Sequence, residues 1–179
     1  LKLNEMIAAG KITAEQAVIG YVGAFTYAEV ISGMTSFYLG ARSVCPSATM
    51  EVTFTYSWYD EAMEKEGAQM LIQKGCVLIS QHADSMGAPT ACEVAGVPNV
   101  SYNGSTVAAC PNTFIVSSRI NWAPYYEMCI KAVKLNERFI PPYGSGASLY
   151  IRPLEIGLTP RVGVKEADEY MFLVLVTPV

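Results

Sequence analysis

Aromatic rings, side-chain amides and carboxylates recur in short clusters along this chain of 179 residues. Phe25, Thr26 and Tyr27 form one cluster; Ser57, Trp58, Tyr59 and Asp60 a second; Gln81, His82, Asp84 and Ser85 a third. Asn103 stands by itself, and Ser118, Arg119, Asn121 and Trp122 close the series. Rings offer faces for stacking, while amides and carboxylates offer donors and acceptors to a ligand's edge. A flat molecule with a polar rim, such as a nucleobase, suits that set. The expected ligand contacts are Phe25, Tyr27, Trp58, Tyr59, Asp60, His82, Asn103, Asn121 and Trp122. Structural uses stand beside this reading. Asp60 can cap a helix, the two tryptophans can be hydrophobic lids, and the single histidine can serve a structural hydrogen bond. Arg119 can pair with a surface carboxylate. No Ser-His-Asp or Cys-His arrangement stands out, and the glycines at 20 and 23 do not spell a dinucleotide fingerprint. Five cysteines without a C-x-x-C pair argue against a zinc or thioredoxin-like site, and no metal site is expected. Cys76 and Cys129 sit in apolar periodic runs and read as core residues.

These clusters follow strand-like runs. Val18 to Gly23 is a short apolar run that predicts a buried strand. Val30, Ile31, Met34, Phe37 and Tyr38 recur at helical spacing, and Cys45-Pro46 ends that helix. Met50, Val52, Phe54 and Tyr56 alternate with polar residues, as in a half-buried strand. A helix capped by Asp60 and closed by Gly75 leads into a third strand over Cys76 to Ile79. A short helix over 86–95, ended by Gly96, precedes a fourth strand at Val97 to Tyr102 and a fifth at Thr113 to Val116. A helix from Pro124 to Asn136 follows. This alternation predicts an α/β fold whose mostly parallel sheet is flanked by helices. Beyond it, Leu149 to Ile151 and Tyr170 to Val176 predict two strands, read as a hairpin-like segment. The expected division is an α/β binding lobe over 1–133 and a β segment over 134–179.

Composition narrows the function classes. With 51% hydrophobic and 16% charged residues, the chain can bury a sizeable core. No apolar run approaches the roughly 20 residues of a membrane span, nor does a charged segment followed by an apolar one open the chain as in a signal peptide. The net charge of −4 and the lack of a basic run argue against a nucleic-acid partner.

Four stretches carry a resemblance. Ile19 to Phe25, Ser57-Trp58-Tyr59-Asp60 with Glu64-Lys65-Glu66, Gln81-His82-Ala83-Asp84-Ser85, and Asn121-Trp122-Ala123-Pro124-Tyr125-Tyr126 resemble the basic membrane protein family. The likeness runs in order through residues 1–133. These are substrate-binding lipoproteins of ABC transporters, many of them binders of purine nucleosides. The resemblance implies a lobe of the type I periplasmic-binding-protein fold, mainly the second lobe. It also implies a nucleoside-like ligand, a permease partner, a non-catalytic role and an extracytoplasmic, lipid-anchored location.

The tail points elsewhere. Arg138 to Pro153, Gly163-Val164-Lys165 and Phe172 to Val179 are similar to branched-chain amino-acid aminotransferases of the class IV pyridoxal-phosphate fold. That resemblance places Tyr150 and Arg152 in a substrate pocket and implies pyridoxal phosphate and a cytoplasmic location. It also places the family's Schiff-base lysine downstream of Val179, with Lys165 no substitute, so transamination is not expected. The chain thus reads as a chimera whose leading function is solute binding without a cofactor. The alternative is an inactive aminotransferase fragment. Apolar tail residues such as Leu149, Ile151 and Phe172 need a partner, so self-association is a further expectation.

Overall fold

The computed structural model describes residues 1–142, 144, 146–158 and 169–178. Tyr143, Ser145, Val179 and the segment 159–168 with Pro160, Gly163 and Lys165 lie outside the described residues. The chain forms two compact units, Leu1–Ile120 and Asn121–Val179. The helix expected within the first piece therefore belongs to the second unit.

In the first unit, α1 (Lys2–Ala8) precedes β1 (Val18–Gly23), α2 (Ala28–Val44), β2 (Thr49–Phe54), α3 (Glu61–Gln73), β3 (Leu78–His82), α4 (Gly87–Ala95), β4 (Asn99–Ser101) and β5 (Phe114–Ser117). The strands make one sheet in the order β2-β1-β3-β4-β5. All pairs are parallel, with Ile19 opposite Met50 on one side and Leu78 on the other. The parallel α/β expectation therefore holds.

Alternation along β1 explains the two packed faces. Ile19 joins Leu3 of α1 and Ala17, Cys45, Ala48 and Leu78 in one core, with Phe37 of α2 against it. Val22 points to the other core, with Ala68 and Leu71 of α3, Ile79, and Ala88, Ala91 and Cys92 of α4. The sheet is covered on both sides, as a parallel sheet requires. The second helix pair meets very closely at Gly87, where a Cβ would stand 2.2 Å from the Glu61 carbonyl oxygen.

Local chemistry sets the element ends. Asp60 caps α3 by accepting the Met63 N–H at 3.0 Å. Gly96 closes α4 in the left-handed conformation at φ 67°. The third strand begins two residues later than its apolar run, at Leu78, and extends through polar Gln81 and His82. Pairing with β1 carries these residues into the sheet despite their polarity. The sequence reading did not anticipate α1, and β2 stops before Tyr56, which turns out at φ 55°.

The second unit holds α5 (Ala123–Leu135), a single 3₁₀ turn (Glu137–Phe139), and the antiparallel pair β6 (Leu149–Gly157) and β7 (Tyr170–Pro178). The pairing runs from Leu149 opposite Pro178 to Gly157 opposite Tyr170, so the expected hairpin is present. Tyr125 of α5 meets Phe172 of β7 edge to face at 6.1 Å. Apolar side chains remain exposed on both hairpin faces, Tyr150 and Leu154 on one and Ile151 on the other.

Candidate functional site

In an open parallel sheet the loops after the strands carry ligands, and the favoured place is where strand order reverses. Here that place lies between β1 and β3. From β1 the chain turns to α2 on one face, and from β3 to α4 on the other. The loops that follow these two strands diverge there.

One wall of the site is aromatic. Phe25 and Tyr27 stack with centroids 4.8 Å apart and planes 9° from parallel. Trp58 leans on both, 5.0 Å from Phe25 and 5.9 Å from Tyr27. Tyr56 meets Phe25 edge to face, with centroids 6.5 Å apart. These rings are partly open to solvent, with Tyr27 55% and Trp58 38% exposed. They offer apolar faces that nothing in this unit covers completely.

The other wall is polar. A cavity of about 200 Å³ opens at the ends of β3 and β4, lined by Gln81, Asp84, Met86, Tyr102, Asn103 and Thr106 among others. The Asp84 N–H donates to the Trp58 carbonyl at 3.0 Å, tying this wall to the aromatic one. Asn103 reaches the rim from a left-handed backbone at φ 59°, a conformation Asn tolerates better than most residues.

Two carboxylates outside these walls have structural tasks. Buried Glu64 accepts the Asp60 N–H at 3.2 Å and the Ser85 N–H at 3.2 and 3.3 Å. It thereby joins the start of α3 to the loop that carries Asp84. Burial raises its pKa above the usual carboxylate value, against the lowering by those bonds. Glu93 accepts the Thr113 N–H and hydroxyl at 3.1 and 2.9 Å, fixing the turn before β5 to α4.

The expected contacts therefore divide. Phe25, Tyr27 and Trp58 come together, and Asn103 lines the polar cavity beside them. Tyr59, 65% exposed, follows on the same loop. Asp60 spends one oxygen as the cap of α3. His82 is buried at 7% exposure, its ring stacked 4.0 Å from Tyr102. Its other side meets α2, where a Cβ on Gly33 would lie 3.0 Å from Nδ1. Burial holds the imidazole below its ordinary pKa, so it is uncharged at neutral pH. Asn121 and Trp122 precede α5 in the second unit. There Asn121 accepts the Ala123 N–H at 3.3 Å, and Trp122 packs on Tyr125 and Tyr126. Sequence reasoning missed Tyr56, Tyr102 and Thr106 as site residues. Tyr56 and Tyr102 follow a strand closely, which was the one signal available, whereas Thr106 lies deeper in the loop after β4.

Residues 6–149 match the family model described as ABC transporter substrate-binding protein, PnrA-like. The chain belongs to that family. TsgA13 of Haloferax volcanii, whose name assigns it to glucose binding for an ABC transporter, is 37% identical over 119 residues. A purine-binding protein of Brucella abortus is 32% identical over 120 residues. These alignments cover 66% and 67% of this chain but 30% and 34% of the relatives, so the chain spans about a third of their length. A solute-binding protein of an ABC transporter from Conexibacter woesei shares the fold, with a TM-score of 0.56, 24% identity, and coverage of 66% of this chain and 40% of that one. Members of the family work outside the cytoplasm.

A separate segment matches aminotransferases. The branched-chain-amino-acid aminotransferase of Helicobacter pylori is 46% identical over 55 residues, 31% of this chain and 16% of that protein. Tyr150 and Arg152 lie two apart on β6 and so share one face of the hairpin. Neither β6 nor β7 contains a lysine. These two strands therefore supply no amine of their own to hold pyridoxal phosphate.

Proposed function

We propose that this chain is a solute-binding lobe for an ABC importer, and that its ligand is a purine nucleoside or a close relative of one. The observation that carries the reading is the pairing of an aromatic wall, Phe25, Tyr27 and Trp58, with a polar cavity at the ends of β3 and β4. A base can stack on the rings while its edge or its sugar meets Asp84, Asn103 and Gln81. The purine-binding relative from Brucella supports this choice of ligand, and the family supports an ABC permease as partner and an extracytoplasmic location. The site offers stacking faces and partners for a ligand's edge, which suits carriage of a solute. Tail residues exposed on both hairpin faces support the proposal that copies of the chain associate through them.

A single lobe closes less of a ligand than a full two-lobed cleft does, so affinity in the millimolar range, about −4 kcal/mol, is expected. The test is a titration followed by NMR with inosine, guanosine and adenosine, and with glucose as the competing class. Saturable shifts with the nucleosides that vanish in Trp58→Ala would support the proposal. Saturation by glucose alone, or no response to any nucleoside at several millimolar, would refute it.

A further inference from the structure

Beneath the polar cavity runs a chain of buried hydrogen bonds whose proton positions follow from simple accounting. Asn99 is fully buried and lies on β4 against α4. Its Nδ2 reaches the Ile79 carbonyl at 3.2 Å and Gln81 Oε1 at 3.0 Å. A backbone carbonyl can only accept, so the Asn99 atom facing Ile79 must be the amide nitrogen. The Gln81 atom facing that nitrogen must then be its oxygen. Both amide orientations, which crystallography often leaves ambiguous, are fixed here by chemistry.

The same logic continues on the other side. Asn99 Oδ1 accepts the Ser101 hydroxyl, which uses the single proton Ser101 has. Ser101 Oγ and Thr106 Oγ1 are also in hydrogen-bond contact, so Thr106 must be the donor there. Cys110 Sγ lies 3.3 Å from Thr106 Oγ1 and from the Thr106 carbonyl, closing the chain. Thr106 and Gln81 both line the cavity. Thr106 has spent its proton inward and can only accept. Gln81 has spent its oxygen inward, and Nε2 is the polar atom it has left for the cavity.

From this we infer that Gln81 is a specificity-determining residue: its Nε2 is a pre-oriented donor that selects ligands bearing an acceptor atom at the cavity floor. Asn99, Ser101 and Thr106 act through it as positioning residues. Preorganisation matters because turning the Gln81 amide over would bring its NH₂ against the Asn99 NH₂ and leave a buried donor unpaired. The inference rests on the nucleoside reading of this site and adds a direction to its hydrogen bonding. Asp84, exposed on the cavity wall, supplies the complementary acceptor.

The test uses inosine and analogues that each lack one acceptor: purine riboside, 7-deazainosine and 3-deazainosine. Against the parent chain, one deletion should weaken binding by roughly tenfold, the share of one good hydrogen bond. In Gln81→Met the same deletion should be silent, while the other analogues keep their parental ratios. A purely structural role for Gln81 would instead weaken all ligands alike, and that pattern would overturn the inference. Should Gln81→Met fail to fold, the side-chain amide proton resonances of Gln81 in the unaltered chain decide. They should move downfield with inosine and not with the critical analogue, and resonances that stay fixed would overturn the proposal. If the unaltered chain binds no nucleoside, the functional reading fails first. If it binds and Gln81 proves indifferent, only this inference fails.

Discussion

Replacing Gly87 with alanine should damage this fold far more than the loss of a hydrogen atom suggests. Gly87 is the first residue of α4, and its Cα faces the backbone of α3. An added methyl would stand 2.2 Å from the Glu61 carbonyl oxygen and 2.9 Å from the Lys65 nitrogen. Non-bonded heavy atoms settle about 3.5–4 Å apart, so the helices would have to separate by more than about 1 Å. They cannot do so cheaply, because Ala68, Leu71, Ala88, Ala91 and Cys92 fill that seam at 0–1% exposure. Overpacking of cores costs about 1–3 kcal/mol, and a backbone obstacle belongs at the upper end. With about 3 kcal/mol lost, the melting temperature should fall by roughly 10 °C. Gly40 is the control. It lies inside α2, exposed, with nothing within 4 Å of its added Cβ. There alanine should stabilise by about 1 kcal/mol, because it fits a helix better than glycine. Urea unfolding followed by circular dichroism reads both. The reasoning is refuted if Gly87→Ala unfolds within about 0.5 kcal/mol of the parent, or if Gly40→Ala destabilises.

Two further outcomes are expected. His82 is held neutral in the fold, below its ordinary pKa of 6.5, while the unfolded chain protonates near that ordinary value. Its contribution is therefore present above about pH 6.5 and is lost as the pH falls further, with a slope of up to about 1.4 kcal/mol per pH unit; urea midpoints between pH 7.5 and 5 should show a steeper decline for the parent than for His82→Gln, and equal slopes would count against it. Burial pushes the thiols of Cys76 and Cys92 up to about 11 and about 12, and Cys45 and Cys110 are buried as well, whereas Cys129 is half-buried. Iodoacetamide at pH 8 should therefore label Cys129 first, with the others following only in denaturant, and early labelling of Cys92 by mass spectrometry would contradict the packing around it.

What could be read from the sequence was what periodicity encodes. Val18 to Gly23 and Asp60 announced a strand and a capped helix, and both stand where expected. The strand-end clusters gave Phe25, Tyr27 and Trp58 as a group because a parallel sheet gathers its loops at one end. Gln81 stood in a strand-end cluster, but its pairing with Asn99 stayed hidden. Gln81 and Asn99 are polar residues in a core, and their value lies in a pairing between different strands. His82 is legible as chemistry, but its burial is not, because Gly33 and Tyr102 close over it from elements far away in sequence. Tyr56 adopts a left-handed backbone that its residue type does not advertise.

The position of β1 has a consequence for how the chain is born. It is the earliest strand in the sequence, yet it sits inside the sheet with Ile19 paired to both Met50 and Leu78. As the polypeptide leaves the ribosome, β1 can join β2 after one helix has formed, but its other edge stays open until His82 has emerged. Parallel pairing across such spacing is slow, and an open strand edge is the surface on which chains aggregate. The β6–β7 pair has no such wait for a distant partner strand and can zip on a microsecond scale once both strands are made. The two units therefore mature on different clocks. The interval of greatest risk is the one in which β1 and β2 have paired and β3 has not yet arrived to cover the open edge.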